Sequence, residues 1–463
     1  MNKNVAVIGL GYVGLPLAAL CAKQGYKVTG LEVNASIVEK LNRGQSHIKD
    51  EVVESLLTEA HQSGNFCATS AVDDIASCSI YLICVPTPVD SNQDPDLRPL
   101  ETAVEMVSPL IEDGDMLIVE STVFPGTCEQ VVIPLIERLS DKKAGIDFEL
   151  AHCPERVNPG DLFWTSENIP RVVGATTEKG TVQAAQFYAS ILGGEIFDVQ
   201  NVRDSLKPKF SCQGTELKVA NVPLGSVTMM RSIRDAEAVK AMENTVRDVN
   251  IAFVNELAKI SDVLQLDVVD IIDGMATKPF GKGPFYPGVG VGGHCIAVDP
   301  EWLKAASARA GYMPEMIQLS RITNNGMPSY TVTLCQDLLN EIGLPIKNTR
   351  IAVLGVSYKR NVDDPRESPF YQVRDLLLKK GAQLSVYDSW YTRENTAPTI
   401  EMALQGAQAI IIVTEHDDIV AQLQNMDLAS AGIKVLIDGR NCLDSKKISK
   451  QGVLYHGIGR KLS

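Results

Sequence analysis

Residues 5–14 read VAVIGLGYVG and lead into the apolar run 15–22, LPLAALCA. A short apolar strand, a turn with the G-x-G-x-x-G spacing and a helical run are typical of the start of a Rossmann domain. The first glycine allows the tight turn, the second lets the backbone approach a pyrophosphate, and the third lets the helix pack closely on the strand. We therefore expect a dinucleotide-binding fold whose turn contacts the cofactor through Gly9, Gly11, Tyr12, Val13 and Gly14.

The second expected strand, 27–31, is followed directly by Glu32. An acid at this point of a Rossmann domain hydrogen-bonds the hydroxyls of the adenosine ribose. Its charge repels a 2′-phosphate, so NAD is favoured over NADP as the cofactor. The alternative for Glu32 is a solvated loop acid.

Two further apolar runs, 80–85 and 116–119, have the pattern of buried strands and are followed by Thr87 and Thr122. The segment 150–160 repeats this layout, with the charged pair Glu155 and Arg156 near its tip. A lone threonine is more typical of a cap or a turn. Open α/β sheets, however, bind ligands at the carboxyl ends of their parallel strands, so three such ends together predict one site.

Residues 236–264 lack Gly and Pro and predict one long helix. Lys240, Asn244 and Arg247 have the i, i+4, i+7 spacing that puts side chains on one helix face. A solvated face is the common explanation for such a trio. The apolar positions of the helix suit packing against a domain or a second subunit.

The segment 288–299, GVGVGGHCIAVD, sets Cys295 behind four glycines, with Asp299 four residues further on. Glycine allows backbone amides to crowd a ligand and to reach φ values that other residues avoid. Cys295 is therefore a candidate for covalent chemistry. The alternative is a buried cysteine beside a tight turn.

A second α/β pattern begins near residue 349, with strands expected at 351–354, 384–387, 409–413 and 434–437 and a helix at 371–380. Charged residues cluster after its first strand, where Lys359 and Arg366 are a candidate diphosphate clamp. The sequence thus predicts an α/β protein with two Rossmann-like doubly wound domains joined by a long central helix. We expect an NAD-binding domain at 1–204, a middle segment at 205–335 and a C-terminal substrate domain at 336–463.

Composition narrows the function classes. The net charge of −14 argues against general nucleic-acid binding, and no apolar run is long enough to span a bilayer. The ten cysteines have no metal-ligand spacing, and the N-terminus lacks a signal-peptide pattern. We therefore expect a cytoplasmic protein with reduced thiols, no metal, no membrane association and a small-molecule substrate.

Seven motifs lie along the chain: GLGYVGLP at 9–16, VPTP at 85–88, STVFPG at 121–126, CPER at 153–156, EAVKAMEN at 237–244, GGHC at 292–295 and YKRNVDDPRES at 358–368. In this order they resemble the UDP-glucose/GDP-mannose dehydrogenase family over almost the whole chain. Within that family, PERVNPGD at 154–161 and KPFGKGPFYPG at 278–288 resemble the branch that oxidises UDP-N-acetylhexosamines.

The resemblance implies an NAD-dependent, four-electron oxidation of a sugar C6 hydroxyl to a carboxylate, for the synthesis of surface polysaccharide precursors. UDP-N-acetylglucosamine is the expected substrate, with UDP-N-acetylmannosamine or UDP-glucose as alternatives. The resemblance also implies a homodimer built on the central helix.

The same resemblance implies roles for individual residues. Cys295, as a thiolate, traps the aldehyde as a thiohemiacetal and then carries a thioester. Lys240 and Asn244 stabilise oxyanions, and Glu155 is the base for the hydrolytic water. Thr122 and Asp299 orient the water and the Lys–Asn pair. The nucleotide-sugar is lined by Arg156, Val157, Lys240, Asn244, Arg247, Gly288, Lys359 and Arg366, with Arg321 contributed by a neighbouring subunit.

Some features depart from the family pattern. Glu32 stands where many relatives carry Asp, and Val289 and Lys282 stand where relatives commonly have proline and an apolar residue. The segment 205–231 is an insertion whose Pro and Gly content suggests a loop or flap. Two rival functions stay open: a one-step hydroxyacid dehydrogenase, which needs no thiol, and a non-catalytic nucleotide-sugar or NAD sensor.

Overall fold

The chain folds into two compact units, and the first division between them falls inside a long helix. The computed structural model describes residues 4–48, 50–88, 95–157, 163–200, 202, 210–211, 214–215, 223–277 and 284–461. The first unit contains residues 1–243 and 301–309, and the second contains residues 244–300 and 310–463. This division differs from the expected boundaries at 204/205 and 335/336, which stay a prediction.

A nine-stranded sheet forms the centre of the first unit, in the order β3-β2-β1-β4-β5-β6-β7-β11-β8. All neighbours are parallel except β6 and β7. Its strands are β1 (Asn4–Ile8), β2 (Lys27–Leu31), β3 (Phe66–Thr69), β4 (Ile80–Ile83), β5 (Met116–Val119), β6 (Glu149–His152), β7 (Arg171–Ala175), β8 (Ile196–Asp198) and β11 (Val227–Met229). A separate antiparallel pair joins β9 (Phe210–Ser211) to β10 (Gly214–Thr215).

Helices cover both faces of this sheet, which is why its central strands are apolar on both sides. Two hydrophobic clusters result, one around α1, α3 and α6 and one around α4 and α5. These helices are α1 (Gly14–Lys23), α2 (Ala35–Asn42), α3 (Glu51–Ser63), α4 (Arg98–Val107), α5 (Ile133–Ser140) and α6 (Glu178–Leu192). Shorter 3₁₀ turns lie at Val72–Ile75 and Ser108–Leu110, and a π-helical turn lies at Cys128–Val132.

The second unit contains a six-stranded sheet in the order β13-β12-β14-β15-β16-β17, which is parallel except at its last pair. The strands are β12 (Arg350–Leu354), β13 (Gln383–Tyr387), β14 (Ala409–Ile412), β15 (Val435–Asp438), β16 (Leu454–Gly457) and β17 (Arg460–Lys461). The remaining helices are α7 (Ile233–Leu264), α8 (Val268–Ala276), α9 (His294–Arg309), α10 (Glu315–Glu341), α11 (Pro369–Lys379), α12 (Ile400–Leu404), α13 (Asp417–Asn425) and α14 (Ser445–Lys450), with a 3₁₀ turn at Thr392–Glu394.

Buried polar contacts fasten α7 to α10 within the second unit. The carboxylate of Asp248 accepts bonds from Arg321 Nη1 at 2.8 Å and from Asn324 Nδ2 at 2.7 Å. Two helical turns after Asp248 on α7, Asn255 Nδ2 donates to Asn324 Oδ1 at 2.9 Å. Since each of these groups is buried, every bond satisfies a polar atom that water cannot reach.

The predicted fold class is confirmed: two Rossmann-like sheets flanked by helices, with the long helix α7 between them in the chain. The helix expected at 236–264 begins three residues earlier, at Ile233. The segment 205–231 differs from a plain flap, because β11 at its end pairs with both β7 and β8. Most of the rest of that segment, and Lys282, lie outside the described residues. Among the described residues, no helix is both long and apolar enough to cross a membrane.

The two sheets share one turn geometry but use the acid after the second strand differently. Gly355 has φ +91° and its amide donates to Tyr387 O at 2.9 Å, as Gly9, with φ +88°, donates to Leu31 O at 2.9 Å. The acid in the second sheet, Asp388, is fully buried. Its oxygens accept four backbone amides and a bond from His416 Nε2, so this carboxylate serves the fold.

Replacing this acid, Asp388→Asn, is expected to lower the free energy of unfolding by roughly 3 kcal/mol at pH 7, because it removes a buried charge with five hydrogen-bond donors. Burial alone would raise the pKa of Asp388, but His416 and the amides outweigh burial and hold this pKa well below the usual range. The stabilisation is therefore complete above pH ~4, the unfolded value, and is lost as the pH falls further. Urea unfolding at pH 7 and at pH 3 measures both effects. The exposed acid Asp417, changed to Asn, is the matched control; an equal loss in both variants would contradict the assignment.

Candidate functional site

A cavity of about 460 Å³ opens beside the glycine turn of the first unit. Apolar side chains form most of its wall, and Glu32 lies at its rim. The lining residues are Ile8, Gly9, Gly11, Leu31, Glu32, Val33, Cys84, Val85, Pro86, Pro99, Thr102, Ala103 and Met106. An apolar slot with an acid at one end suits an adenine ring and its ribose.

The turn requires its glycines for different reasons. A Cβ on Gly14 would lie 1.9 Å from Gly9 O, so only glycine lets α1 start this close to β1. A Cβ on Gly11 would meet no protein atom within 4 Å, which leaves the backbone there open to a ligand. Val13 is the residue before the first turn of α1, and Tyr12 is about half exposed next to it. The amides at this helix start point toward the place that a pyrophosphate would take.

The carboxylate of Glu32 is already oriented by the backbone. Its Oε2 accepts the amide of Leu10 at 3.1 Å, and its Oε1 accepts the amide of Asn34 at 3.0 Å. Each carboxylate oxygen has a second lone pair for a ribose hydroxyl. The residues present therefore fit NAD.

The strand-end threonines contact each other. Thr87 Oγ1 donates to the carbonyl oxygen of Thr122 at 2.7 Å, and Ser121 Oγ donates to Val85 O at 2.7 Å. These bonds cross from the end of β4 to the end of β5. Thr87 is buried, so it braces the loop that presents Thr122.

Glu155 belongs to a buried cluster that sequence reasoning missed, which we name the Arg171 cluster: Arg171, Glu120, Glu155 and Tyr188. Arg171 Nη2 donates to Glu155 Oε2 at 2.8 Å, and Arg171 Nη1 donates to Glu120 Oε2 at 3.0 Å. The hydroxyl of Tyr188 donates to the other oxygen of Glu120. A signal was present in the sequence, since an arginine opens the apolar strand β7 and a glutamate directly follows the apolar strand β5.

Two other predicted residues lie nearby in the first unit. Glu155 Oε1 accepts the amides of Arg156 and Val157, at 2.7 and 2.9 Å, so the three residues form one tight turn. The guanidinium of Arg156 forms a bidentate pair with Glu243 and also donates to a backbone carbonyl. A phosphate contact by Arg156 would have to displace Glu243.

The side chain of Lys240, on helix α7, is buried, at 8% exposure.

Glu237 joins α7 to the loop that carries Thr122. Its carboxylate accepts the amide of Gly126 at 2.5 Å and that of Cys128 at 2.7 Å. Since Lys240 follows Glu237 by about one helical turn, the same helix end fixes both Lys240 and the Thr122 loop.

In the second unit, Asn244 and Asp299 meet as expected. Asn244 Nδ2 donates to Asp299 Oδ2 at 2.6 Å, and both side chains are buried. Asp299 lies one turn after Cys295 in α9, and Cys295 is in the first turn of that helix. The bond therefore joins α9, at the turn after Cys295, to the turn of α7 that carries Asn244.

The glycine-rich stretch before Cys295 is held against the second sheet. Gly288 N donates to Asn255 Oδ1 at 2.9 Å, and Gly293 N, at φ +83°, donates to Arg366 O at 3.0 Å. Val289, one of the expected departures from the family pattern, is buried in the hydrophobic core of this unit. The valine thus anchors the loop by packing.

The predicted cations of the second unit fall into different environments. Arg366 is half exposed and forms a bidentate pair with Asp364. Lys359 is partly buried and Arg247 is exposed, whereas Arg321 is buried in its pair with Asp248. A substrate contact by Arg321 would have to share that pair.

Arg440 is a cation that the sequence reasoning missed. Its Nη1 lies 2.6 Å from the position that a Cβ on Gly288 would take, while its Nε and Nη2 bond to Glu415. It follows β15, at the carboxyl edge where parallel sheets bind ligands, and that edge was the available signal.

Among the described residues, no group of three or more His, Cys, Asp or Glu could hold a metal ion.

The glycine turn, the open backbone at Gly11 and the oriented Glu32 define an NAD-binding oxidoreductase fold. Three family models agree with this and extend it. They describe the NAD binding domain, the central domain and the UDP binding domain of the UDP-glucose/GDP-mannose dehydrogenase family, and they match residues 3–192, 234–326 and 352–445. The chain belongs to this family of NAD-dependent nucleotide-sugar dehydrogenases.

Relatives match along nearly the whole chain. A UDP-N-acetyl-D-mannosamine dehydrogenase of Pyrococcus horikoshii is 33% identical over 99% of both chains. A UDP-N-acetyl-D-glucosamine 6-dehydrogenase of Pseudomonas aeruginosa is 30% identical, covering 96% of this chain and 98% of its own. A solved structure of a UDP-D-ManNAc dehydrogenase from P. horikoshii superposes with a TM-score of 0.85 at 32% identity, over 99% of each chain.

Removing the charge at the cavity rim, Glu32→Gln, is expected to raise the KM for NAD by about tenfold with little change in kcat, because ribose hydrogen bonds to a charged group contribute about 1.5 kcal/mol or more. Glu32→Asp keeps the charge, so the KM of this variant for NAD should stay within about threefold of the parent value. Initial rates of NADH formation measure both. An unchanged KM in the Gln variant would show that Glu32 does not hold the ribose.

Proposed function

We propose that this protein oxidises the C6 hydroxyl of a UDP-N-acetylhexosamine to a carboxylate in two steps, with Cys295 holding the sugar between them. The observation that carries this proposal is the bond between Asn244 and Asp299. It couples α9, which bears Cys295 one turn before Asp299, to α7, which bears Lys240 and Asn244. A one-step hydroxyacid dehydrogenase has no need for such a link to a thiol.

The chemistry follows from the residue types. NAD accepts one hydride at each oxidation. The Cys295 thiolate adds to the C6 aldehyde to give a thiohemiacetal, whose oxidation leaves a thioester for water to hydrolyse. The start of a helix favours a thiolate there through its dipole.

Five other residues would stabilise or orient the groups that react. Lys240 and the amide of Asn244 are suited to stabilise the negative oxygen that forms on C6, because buried donors act strongly on developing charge. Asp299 holds Asn244 in one orientation through their bond. Glu155 would accept a proton from the hydrolytic water, and Thr122 would orient that water.

The nucleotide part of the substrate would lie along the second sheet. The proposed contacts are Gly288, Lys359 and Arg366, together with Arg440, which the structure adds through its position beside Gly288. Arginine suits a diphosphate because its planar fork donates two hydrogen bonds at once.

The proposal also concerns which epimer of the N-acetylhexosamine is the substrate. UDP-N-acetylglucosamine is the substrate that the family resemblance leads us to expect. Several relatives above 30% identity are named UDP-N-acetyl-D-mannosamine dehydrogenases, which supports the manno epimer as an equal candidate. UDP-glucose is the third substrate to test. The product would be a uronic acid for surface polysaccharide precursors.

With a UDP-N-acetylhexosamine as substrate, two NADH should form per sugar consumed, and Cys295→Ala should reduce uronic acid formation at least about 10³-fold. NADH absorbance and product chromatography measure the ratio over a panel of UDP-sugars. Cys67→Ala, at an exposed thiol of the first unit, is the matched control. One NADH per sugar with indifference to the loss of Cys295 would favour the one-step enzyme, and binding without NAD reduction would favour a sensor.

We also propose that the second unit forms a homodimer through α7 and α10. Large apolar side chains are exposed on both helices of this unit, although buried polar contacts join the helices to each other. They are Phe253, Ile260, Val263 and Leu264 on α7 and Met316, Leu319 and Ile322 on α10. An exposed apolar surface of this kind is typical of a protein interface.

Phe253→Asp is expected to weaken such a dimer by about 100-fold or more, because it places a charge in a desolvated contact. Sedimentation equilibrium over a range of concentrations measures the dissociation constant. The exposed Ile146 of the first unit, changed to Asp, serves as the control. A parent protein that sediments as a monomer would contradict the proposal directly.

A further inference from the structure

The Arg171 cluster places one buried cation between two carboxylates. Arg171 and Tyr188 are fully buried and Glu120 is 1% exposed, whereas Glu155 is partly exposed. The guanidinium uses separate nitrogens for the two acids, Nη1 for Glu120 and Nη2 for Glu155. Its ring contact with Tyr188, at 5.6 Å, holds it from a third side.

Two ionised carboxylates on one buried guanidinium leave an excess negative charge in a dry environment, which costs free energy. Among the residues that the structure describes, the other groups facing Glu120 do not supply a second cation: they are the thiols of Cys21 on α1, Cys84 after β4 and Cys153 after β6, and the hydroxyl of Tyr188 on α6. Burial, helped by the charge of Glu155 and opposed by Arg171 and Tyr188, raises the pKa of Glu120 to about 7. Glu120 therefore changes charge near neutral pH.

We propose that Arg171 is a positioning residue for Glu155, and that the protonation of Glu120 sets how firmly Arg171 holds Glu155 during thioester hydrolysis. This assignment rests on the proposed function, in which Glu155 accepts a proton from the hydrolytic water. It adds three residues, Arg171, Glu120 and Tyr188, that act through Glu155 without touching the sugar.

The direction of the effect follows from electrostatics. When Glu120 is protonated, the whole guanidinium charge serves Glu155, which makes that carboxylate a poor proton acceptor. When Glu120 is ionised, the two acids share the charge and Glu155 accepts a proton more readily. In the assisted step, water loses one proton to Glu155, its oxygen bonds to the thioester carbon, and the bond to sulfur breaks to release the Cys295 thiolate. Hydrolysis should therefore accelerate as the pH rises through about 7.

The test measures the two phases of NADH formation and the bound intermediate. Glu120→Gln should keep the rapid first phase but slow the steady-state rate by about threefold to tenfold, because only hydrolysis depends on Glu155. Acid-quenched protein should then show more of the Cys295 thioester by intact mass. The rise in steady-state rate near pH 7 should disappear, since Gln cannot ionise.

Tyr188→Phe is the second variant. It removes a hydrogen bond that lowers the pKa of Glu120, so the rise should remain but move to higher pH. Asp115→Asn is the matched control, because Asp115 is a buried acid at the opposite end of β5 whose bond to Glu112 N lies away from the cluster. Its pH profile and thioester level should match the parent.

A Gln variant that keeps the rise near pH 7, or loses both phases in equal proportion, would overturn the role of Glu120. A Phe variant with an unshifted profile would do the same independently. If the parent enzyme forms no thioester with any UDP-sugar, the proposed function fails first, and this assignment fails with it.

Discussion

The close approach of two backbone segments at a glycine turn is the constraint on which both sheets depend. At Gly14 any side chain would overlap the carbonyl of Gly9, so helix α1 can start only where there is no Cβ. The same crowding returns at Gly355, whose Cβ would lie 2.5 Å from Thr414 N. Because α1 starts so near the strand, its free amides lie at the sheet edge where the cofactor cavity opens.

Buried carboxylates fasten loops and helices within each unit. Glu237 accepts two backbone amides of the Thr122 loop, and Asp248 holds α10 against α7. Asp388 accepts the backbone amides of the turn in the second sheet. A carboxylate can accept several hydrogen bonds at once, so one acid fixes several segments. Such bonds are strong when formed and costly when broken. Segments that are far apart in the sequence are thereby kept in fixed positions within each unit.

The sequence predicted the fold well because its signals are local. The strand–turn–helix stretch at 5–14 and the long run without Gly or Pro in α7 both appear at nearly the expected residues. The link between Asn244 and Asp299 was expected through family resemblance, and the structure places the two side chains in contact.

What the sequence did not reveal depends on distant partners. Arg171 meets Glu120 across 51 residues of chain, and no spacing rule connects them. Arg156 pairs with Glu243, 87 residues away, and no local pattern in the sequence indicates this partner. Strand β11 was missed because three residues of a short edge segment carry too little pattern to be distinguished from a loop.

The packing of the glycine-rich loop against the second unit has a practical consequence. Val289 is part of the core of the second unit, and the loop backbone is tied to Asn255 and Arg366 within that unit. On heating, the glycine-rich loop should lose its order together with this core. Engineering for a longer working life would therefore begin with the packing around Val289 in the core of the second unit.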